Sequence, residues 1–324
     1  MNYKEFLETI TQNLHRTLGD SYQIDVCPLS KNNGVILDGL RIRRDGQIFV
    51  PTIYLNMYFD AYQNHSMSVE EILSDILGLY RCSTPPCCLS EESISDFESL
   101  KSRVMYRMIH TESNQELLKE LPSIRFLDLS VVFFLYLDEN AAGQLTALIR
   151  KEHLRQWKVG VSDLWKLARV NTPAAYPPVV QSMTELLGVL SESTGIDPAE
   201  MNDAEADPSK NEDPLPLYVI TNSSGLYGAA CMLYPNVLDD LASRLNQDLL
   251  ILPSSIHEVL ALPADTPVSL MELRAMISAI NQVEVPPEDR LSDQVYFYQK
   301  DDGMLDLLPE EAFSENPDES GFLS

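Results

Sequence analysis

Apolar side chains recur at helical spacing over several segments of the chain. Residues 3–18 carry them three and four positions apart, on one face of a helix: Tyr3, Phe6, Leu7, Ile10, Leu14 and Leu18. Ser68 and Glu71 have the spacing of a capping box, in which each side chain satisfies a backbone N–H of the first turn, and so do Ser269 and Glu272. A helix is predicted after each pair. Further helices are predicted over residues 114–121, 162–172, 179–190 and 237–245.

Alternating apolar and polar residues predict a β-hairpin near the amino end. The alternation covers residues 22–26 and 40–42, and residues 31–34 between them have the composition of a turn. Asp45-Gly46 marks a second tight turn, so a short return strand is predicted over residues 48–50.

Strands and helices mix in the rest of the chain. The apolar run from Phe126 to Leu137 is interpreted as a central strand, with a buried helix as the alternative and residues 145–149 as its partner. Residues 104–109 fit either structure. Beyond residue 215, helices alternate with predicted strands over residues 217–221, 249–252 and 295–298. The expected fold class is α+β, with mixed helices, short sheets and a carboxyl-terminal βαβαβ-like module.

Acidic side chains dominate the composition. The chain has 49 Asp and Glu residues against 23 Lys and Arg, a formal net charge of −26. Residues 191–214 and 300–324 each hold eight acidic residues and one lysine. Nucleic acids and anionic membranes are bound by basic faces, so direct binding to either is not expected. The acid is assigned to solubility, with mimicry of nucleic-acid charge as the alternative.

The length of 324 residues predicts about two domains. Polar, acidic segments without aliphatic periodicity bury too little apolar area to fold, which predicts a flexible linker and a flexible tail. The expected divisions are 1–98, a helix/hairpin/helix region; 99–190, a central α+β region; 191–214, the acidic linker; 215–300, an α/β module; and 301–324, the acidic tail.

Neither a membrane span nor a signal peptide is predicted. The longest apolar run, Val131 to Leu137, has seven residues, and the first ten residues have mixed charge. Five dispersed cysteines do not suggest a disulfide scaffold. A cytoplasmic location is therefore expected.

The cysteines and histidines do not form a metal-binding pattern. Cys82, Cys87 and Cys88 lie close together, but their C-x4-C-C spacing lacks the second ligand pair of a zinc site. The five histidines fit no metal-ligand spacing. Neither a metal nor a cofactor is expected.

The candidate catalytic residues lie where predicted strands end. Ser254, Ser255, His257 and Glu258 follow one strand, and His153 enters a helix after another. Sites in α/β folds are built at such ends. A hydrolase would use one of the serines with His257 as its base, although the G-x-S-x-G elbow that presents such a serine is absent. Local hydrogen bonding between neighbouring Ser and His residues is the favoured interpretation.

The glycine-containing loop that follows the predicted strand 217–221 is a weak candidate for anion binding. Asn222, Gly225 and Gly228 would let backbone N–H groups approach a phosphate. The loop lacks the Lys-Ser/Thr pair of a P-loop and the third glycine of a dinucleotide fingerprint. A turn followed by a tightly packed helix is the alternative.

An aromatic stripe and a small basic cluster are candidates for protein interaction. Tyr54, Tyr58 and Tyr62 fall at helical spacing, which is typical of a partner surface or of a core. Arg41 and Arg43 share one face of a predicted strand and would attract an acidic partner.

Several motifs connect the chain with known sequences. They are Asn33-Gly34-Val35 to Gly39-Leu40, Pro51 to Leu55, Phe126 to Leu129, Ile149 to Leu154, Gly228 to Pro235, Leu252 to Val259, and Leu291-Ser292-Asp293 with Val295-Tyr296. Through them, most of residues 1–300 resembles an uncharacterised domain-of-unknown-function family of gut clostridia. The second half is more weakly similar to the YtpQ-like proteins of bacilli. The resemblance implies accessory roles, such as cargo of mobile elements, and no activity.

The leading functional hypothesis is therefore a non-catalytic protein that binds a protein partner in an accessory or regulatory role. The alternative is a hydrolase or transferase with its site around His257 and the ends of the carboxyl-terminal strands.

Overall fold

The computed structural model describes residues 1–44, 50, 52–82, 96–140, 143–185 and 216–309. The chain divides into two compact units that interleave in sequence. The first unit contains Met1–Met105, Glu116–Pro122 and Phe133–Leu167; the second contains Tyr106–Gln115, Ser123–Val132 and the described residues from Ala168 onward.

The amino-terminal elements follow the predicted order. They are α1 (Tyr3–Leu18), β1 (Tyr22–Ser30), β2 (Ile36–Arg44), β3 (Thr52–Tyr54), α2 (Asn56–Gln63), α3 (Val69–Cys82) and α4 (Phe97–Leu100). Asn2 and Glu5 form a capping box at the start of α1, and the predicted box of Ser68 and Glu71 is present before α3. The predicted hairpin is confirmed, since β1 and β2 pair antiparallel from Tyr22↔Arg44 to Ser30↔Ile36.

A three-stranded antiparallel sheet in the order β1-β2-β3 carries the core of this region. The buried faces of α1 and α3 pack on it through Phe6, Ile10, Leu14, Ile72 and Ile76. A return strand is predicted over residues 48–50, of which residues 48 and 49 lie outside the described residues. The third strand of the sheet, β3, begins at Thr52.

The middle of the chain contains β4 (Val104–His110), α5 (Gln115–Glu120), β5 (Ser123–Phe126), β6 (Leu129–Asn140), β7 (Gly143–Leu148), α6 (Lys151–Trp157) and α7 (Val161–Ala175). The predicted pairing of residues 145–149 with the central strand is confirmed, because β7 pairs antiparallel with β6. The apolar run 126–137 is not one strand, however. Phe126 ends β5, Leu127 and Asp128 form a two-residue turn, and β6 begins at Leu129.

The carboxyl-terminal elements are β8 (Pro178–Ser182), β9 (Tyr218–Asn222), a 3-10 helix (Gly228–Leu233), α8 (Val237–Leu245), β10 (Leu249–Leu252), β11 (Val259–Pro263), α9 (Leu270–Val283), β12 (Tyr296–Gln299) and β13 (Met304–Leu307). Their strands form one six-stranded sheet in the order β13-β12-β10-β11-β9-β8, with antiparallel pairs throughout. Leu250, Leu252, Leu262, Leu273 and Ile277 are buried between this sheet and α9.

The α+β fold class is confirmed, and the six-stranded sheet extends the expected βαβαβ-like module by β8, β11 and β13. Two local predictions are wrong. The helix predicted over residues 179–190 starts too early: Val179–Ser182 belong to a strand, because Val179 and Val180 are β-branched and pair with β9, and residues 183–185 are helical. Pro173 lies inside α7, which continues because the N–H of Tyr176 still donates to the carbonyl of Thr172.

The acidic segments are described only in small part. The linker predicted over residues 191–214 lies outside the described residues, as does the tail beyond residue 309. The start of the predicted tail is ordered as β13, which pairs with β12 from Tyr296↔Leu307 to Gln299↔Met304. None of the described helices is long and apolar enough to cross a membrane.

Candidate functional site

An open cleft of about 370 Å³ in the second unit brings together several of the candidate residues. We call it the His257 cleft. Gly225, Ser255, His257 and Glu258 line it, together with Asp289, which sequence reasoning did not single out. Loops at the ends of β9 and β10 therefore meet here, as expected for strand-end candidates.

Backbone pairing positions His257 next to Asp289. The segment after β10 runs antiparallel to the segment before β12. The N–H of Ile256 donates to the carbonyl of Asp289 (2.8 Å), and the N–H of Leu291 donates to the carbonyl of Ser254 (2.9 Å). Ser255 and Arg290 form a bridge between these two bonds. This pairing brings the side chains of His257 and Asp289 next to each other.

Both ring nitrogens of His257 have protein partners. Nδ1 accepts the backbone N–H of Tyr227 at 3.3 Å, and Nε2 lies 3.3 Å from Oδ1 of Asp289. An acceptor at Nδ1 requires the proton to sit on Nε2, where it points at the carboxylate. The imidazole also stacks on the ring of Tyr227, with centroids 5.9 Å apart, and the guanidinium of Arg107 lies 4.7 Å from that ring's centroid.

The candidate serines do not pair with the imidazole. The hydroxyl of Ser255 accepts the backbone N–H of His257 itself at 3.0 Å. Ser254 is buried, and its backbone groups bond to Leu252 and Leu291. These contacts are the local hydrogen bonds that the sequence analysis favoured over a nucleophile and its base.

His153 belongs to the first unit, where it takes part in capping the start of α6. Its Nδ1 accepts the backbone N–H of Arg150 at 3.0 Å at the start of α6. Its ring packs against Trp157 with centroids 5.4 Å apart. Burial lowers the pKa of this imidazole. The contacts account for His153 as a structural residue of α6.

The loop from Asn222 to Gly228 uses its own N–H groups. Those of Ser224 and Gly225 donate to Oδ1 and the carbonyl of Asn222, at 3.0 and 3.1 Å, and that of Leu226 donates to the hydroxyl of Ser224 at 3.1 Å. With the Tyr227 N–H on His257, four consecutive backbone donors already have acceptors within the protein. A Cβ on Gly228 would lie 2.3 Å from the carbonyl oxygen of His257, so close packing explains this glycine.

A second polar cluster centres on Asp128, in the turn between β5 and β6. Its carboxylate accepts the hydroxyls of Ser292 (2.6 Å) and Tyr296, and Nε2 of His110 lies 3.8 Å away. Burial raises the pKa of Tyr296, and the negative charge of the Asp128 carboxylate raises it further. We call these four residues the Asp128 cluster. Sequence reasoning missed this cluster, because Ser292 and Tyr296 lie 164 and 168 positions after Asp128.

The proposed interaction residues are divided between core and surface. Tyr58 is buried and donates its hydroxyl to Asp75. The ring of Tyr62 lies 5.9 Å from that of Phe6 in the same core. These two side chains contribute little to a partner surface.

Tyr54 and the arginines are more accessible. The ammonium of Lys31 lies 3.9 Å from the centroid of the half-buried Tyr54 ring. Arg43 is exposed on β2, and the half-buried Arg41 stands opposite Asp25 in the register of the hairpin.

Metal-ligating and thiol groups are dispersed. In the part of the chain that the structure describes, no three His, Cys, Asp or Glu side chains are arranged to hold a metal ion. Cys87 and Cys88 lie outside the described residues. Burial raises the pKa of the Cys231 thiol to about 12, so this thiol is protonated at neutral pH and is a poor nucleophile.

Comparison with known proteins identifies the family. The model of DUF5688, a family of unknown function, matches residues 3–300. The chain belongs to this family. No curated protein and no solved structure matches it.

In this DUF5688 chain, motifs that are distant in sequence meet in space. The motif Phe126 to Leu129 supplies Asp128, whose partners come from the motif that contains Ser292 and Tyr296. The motif that begins at Gly228 packs on the one that contains His257, and the N–H of Ala229 donates to the carbonyl of Ile256 at 3.3 Å.

Proposed function

We propose that this chain is a cytoplasmic, non-catalytic protein that binds a protein partner in an accessory or regulatory role, and that the His257 cleft forms part of its binding surface. One observation carries the proposal: both nitrogens of His257 are engaged, by the N–H of Tyr227 and by Asp289. A general base needs a ring nitrogen within reach of the proton it removes. In this arrangement the imidazole holds two loops together and has no free nitrogen for Ser255.

Apolar side chains around the cleft support a role in binding. Val285 and Pro286 line it, and Leu226 on the opposite loop is 37% exposed. Val283, immediately before the lining residue Glu284, is 80% exposed. Protein interfaces combine an apolar centre with a polar rim, and large exposed apolar residues are typical of such surfaces.

The charge around the cleft favours a basic partner. Glu258, Glu284 and Asp289 place three carboxylates on its lining. Glu284 also caps the carboxyl end of α9, where the helix dipole contributes partial negative charge. A segment with Lys or Arg next to apolar residues would complement this surface in both respects.

The kinship implied by the motifs belongs to the same proposal. A clostridial family of mobile-element cargo, with weaker similarity to YtpQ-like proteins, would supply accessory proteins of this kind. An enzyme at His257, as a hydrolase or transferase, is the alternative class. It would require the Tyr227 N–H to leave Nδ1 before the imidazole could accept a proton.

The proposal is tested by affinity capture from a lysate of the encoding organism at moderate salt, followed by titration of the purified partner. We expect a stoichiometric partner whose binding is weakened about tenfold or more by the double substitution Glu258→Gln with Glu284→Gln, since each lost charge pair weakens attraction. Asp302→Asn with Asp306→Asn is the matched control, because both residues are exposed and neither lines the cleft.

Equal binding by the two double variants would remove the cleft from the interface. Hydrolysis of simple esters or phosphoesters by the purified chain, abolished by His257→Gln, would replace the proposal with the enzyme class.

A further inference from the structure

A separate cavity of about 280 Å³ in the second unit is lined by three aromatic rings, those of Phe126, Tyr234 and Tyr298. We call it the aromatic cavity. It shares no lining residue with the His257 cleft. Its volume is at the lower end of the range for small-molecule pockets, about 300 Å³ and upward, so it suits a ligand of a few heavy atoms.

The surrounding structure holds two of these side chains, Tyr234 and Tyr298, in place. Tyr234 is buried and packs edge-on against Tyr106, with centroids 6.3 Å apart. Tyr298 is 6% exposed on β12, between Leu249 of β10 and Leu305 of β13 in the sheet register. A cavity formed by such side chains exists before a ligand arrives, which lowers the entropic cost of binding.

Asp239 gives the cavity a negative charge. It is the one charged residue among those that line the cavity, and it forms no ion pair with any residue that the structure describes. Burial raises the pKa of Tyr298, which lines the same cavity, and the negative charge of Asp239 raises it further. The amide-bearing Asn236 and the apolar Met232 and Leu305 also line the cavity.

Aromatic rings and a carboxylate around one small space recognise a specific chemistry. The face of an aromatic ring attracts a cation through its quadrupole, and sites for quaternary ammonium groups are built from several such rings. A compact alkylated ammonium group also suits the cavity sterically, since its methyl groups pack on apolar side chains. A carboxylate at the rim adds Coulombic attraction without requiring a hydrogen-bond donor on the ligand.

We propose that the aromatic cavity binds a small organic ammonium cation, with Phe126, Tyr234 and Tyr298 contacting its alkyl groups and Asp239 pairing with its charge. This site is independent of the protein-binding surface proposed above. No covalent step is involved.

The test uses choline and its neutral carbon isostere, 3,3-dimethylbutan-1-ol, in isothermal titration calorimetry with the full chain. The two molecules have the same shape and differ in charge. We expect choline to bind with a Kd of about 1 mM or lower and at least about tenfold more tightly than the isostere. Binding of neither molecule at ten times that concentration, or equal binding of both, would overturn the proposal.

Two substitutions locate the site. Asp239→Asn is expected to weaken choline binding about fivefold to tenfold, while Asp240→Asn, the neighbouring exposed carboxylate that does not line the cavity, leaves it unchanged. Phe126→Leu keeps the apolar volume and removes a ring, so a further loss of about threefold is expected. Choline binding that is unaffected by both Asp239→Asn and Phe126→Leu would place the ligand elsewhere and refute the assignment.

The same titration separates this proposal from the previous one. Glu258→Gln with Glu284→Gln should bind choline as the unaltered chain does, because neither residue lines the aromatic cavity. Loss of choline binding in that double variant would contradict the independence of the two sites.

Discussion

The Asp128 cluster allows a quantitative prediction, because its central carboxylate is the acceptor for two hydroxyls. Asp128→Ala removes the acceptor of Ser292 and of Tyr296. Hydrogen bonds to a charged group contribute about 1.5–3 kcal/mol each, and a buried donor left without a partner costs about 1–3 kcal/mol. Tyr296 is fully buried, so water cannot replace the lost acceptor there.

We therefore expect Asp128→Ala to lower the free energy of unfolding of the second unit by about 3–5 kcal/mol. Tyr296→Phe removes one of the two bonds and is expected to cost about 1.5–2 kcal/mol. In the Asp128→Ala background, the Tyr296 hydroxyl already lacks its partner. Adding Tyr296→Phe to Asp128→Ala removes this orphaned donor, so it should cost nothing or recover part of the penalty of about 1–3 kcal/mol. The coupling energy is therefore expected to be about 1.5 kcal/mol or more.

Urea denaturation followed by circular dichroism measures the four free energies, with hydrogen exchange of peptides from residues 289–299 to assign the change to the second unit. Asp302→Asn serves as an exposed control and is expected to change stability by less than about 0.5 kcal/mol. Additive costs of Asp128→Ala and Tyr296→Phe would refute the reasoning, since they would mean that the two groups do not act as one bonded pair.

Three further substitutions test other parts of the fold. Gly228→Ala should destabilise the chain by about 1–3 kcal/mol in urea denaturation, because a Cβ at this position would lie 2.3 Å from the backbone of His257. Gly78→Ala is the control and should be neutral or stabilising, because a Cβ there would have nothing within 4 Å. Similar costs for the two substitutions would contradict this reasoning. Leu127→Asn should raise the free energy of unfolding by about 0.5–1 kcal/mol, and the urea midpoint with it, because Leu127 has a φ of 54° that Asn tolerates better. A lower midpoint would count against strain in this turn. The hydroxyl of Ser269, and to a lesser extent its N–H, lower the pKa of Glu272 by hydrogen bonding to the carboxylate. The cap therefore stabilises α9 fully at a pH above the ordinary pKa of glutamate, and this stabilisation is lost as the pH falls through the lowered pKa of Glu272. The protection factors of the amides at the start of α9, which correct for the intrinsic pH dependence of exchange, should fall as the pH is lowered over that range, and Glu272→Gln should abolish this fall. An unchanged pH profile in this variant would exclude the cap as its source.

Local signals in the sequence predicted the elements that local chemistry determines. The helix α3 and the helix α9 begin at the predicted capping boxes, and the hairpin of β1 and β2 follows from alternation and turn composition. These features depend on residues that are near one another along the chain, which is why a single sequence reveals them.

Elements that depend on distant partners were not predictable in the same way. The turn at Leu127 carries no glycine or asparagine, so nothing local divides the apolar run into β5 and β6. Residues 179–182 form a strand because β9 pairs with them across a gap of more than thirty residues. Tertiary pairing overrides the local pattern in both cases.

The candidate site was predictable in part. Ser255, His257 and Glu258 do line one cleft, as expected for residues after a strand. Their roles could not be deduced, because the groups that contact His257 belong to Tyr227 and Asp289. Asp289 lies thirty-two positions after His257 in the sequence. Sequence proximity identified the place, and only the spatial partners distinguish a structural imidazole from a base.

The separation within the Asp128 cluster also affects the order in which the chain can fold during synthesis. Ser292 lies 164 residues after Asp128. At about 5–20 residues per second, a ribosome takes on the order of ten to thirty seconds to make that stretch. Until then the turn between β5 and β6 presents a carboxylate whose two hydroxyl partners, Ser292 and Tyr296, do not yet exist. The second unit must therefore complete its folding late, after nearly the whole described chain has emerged.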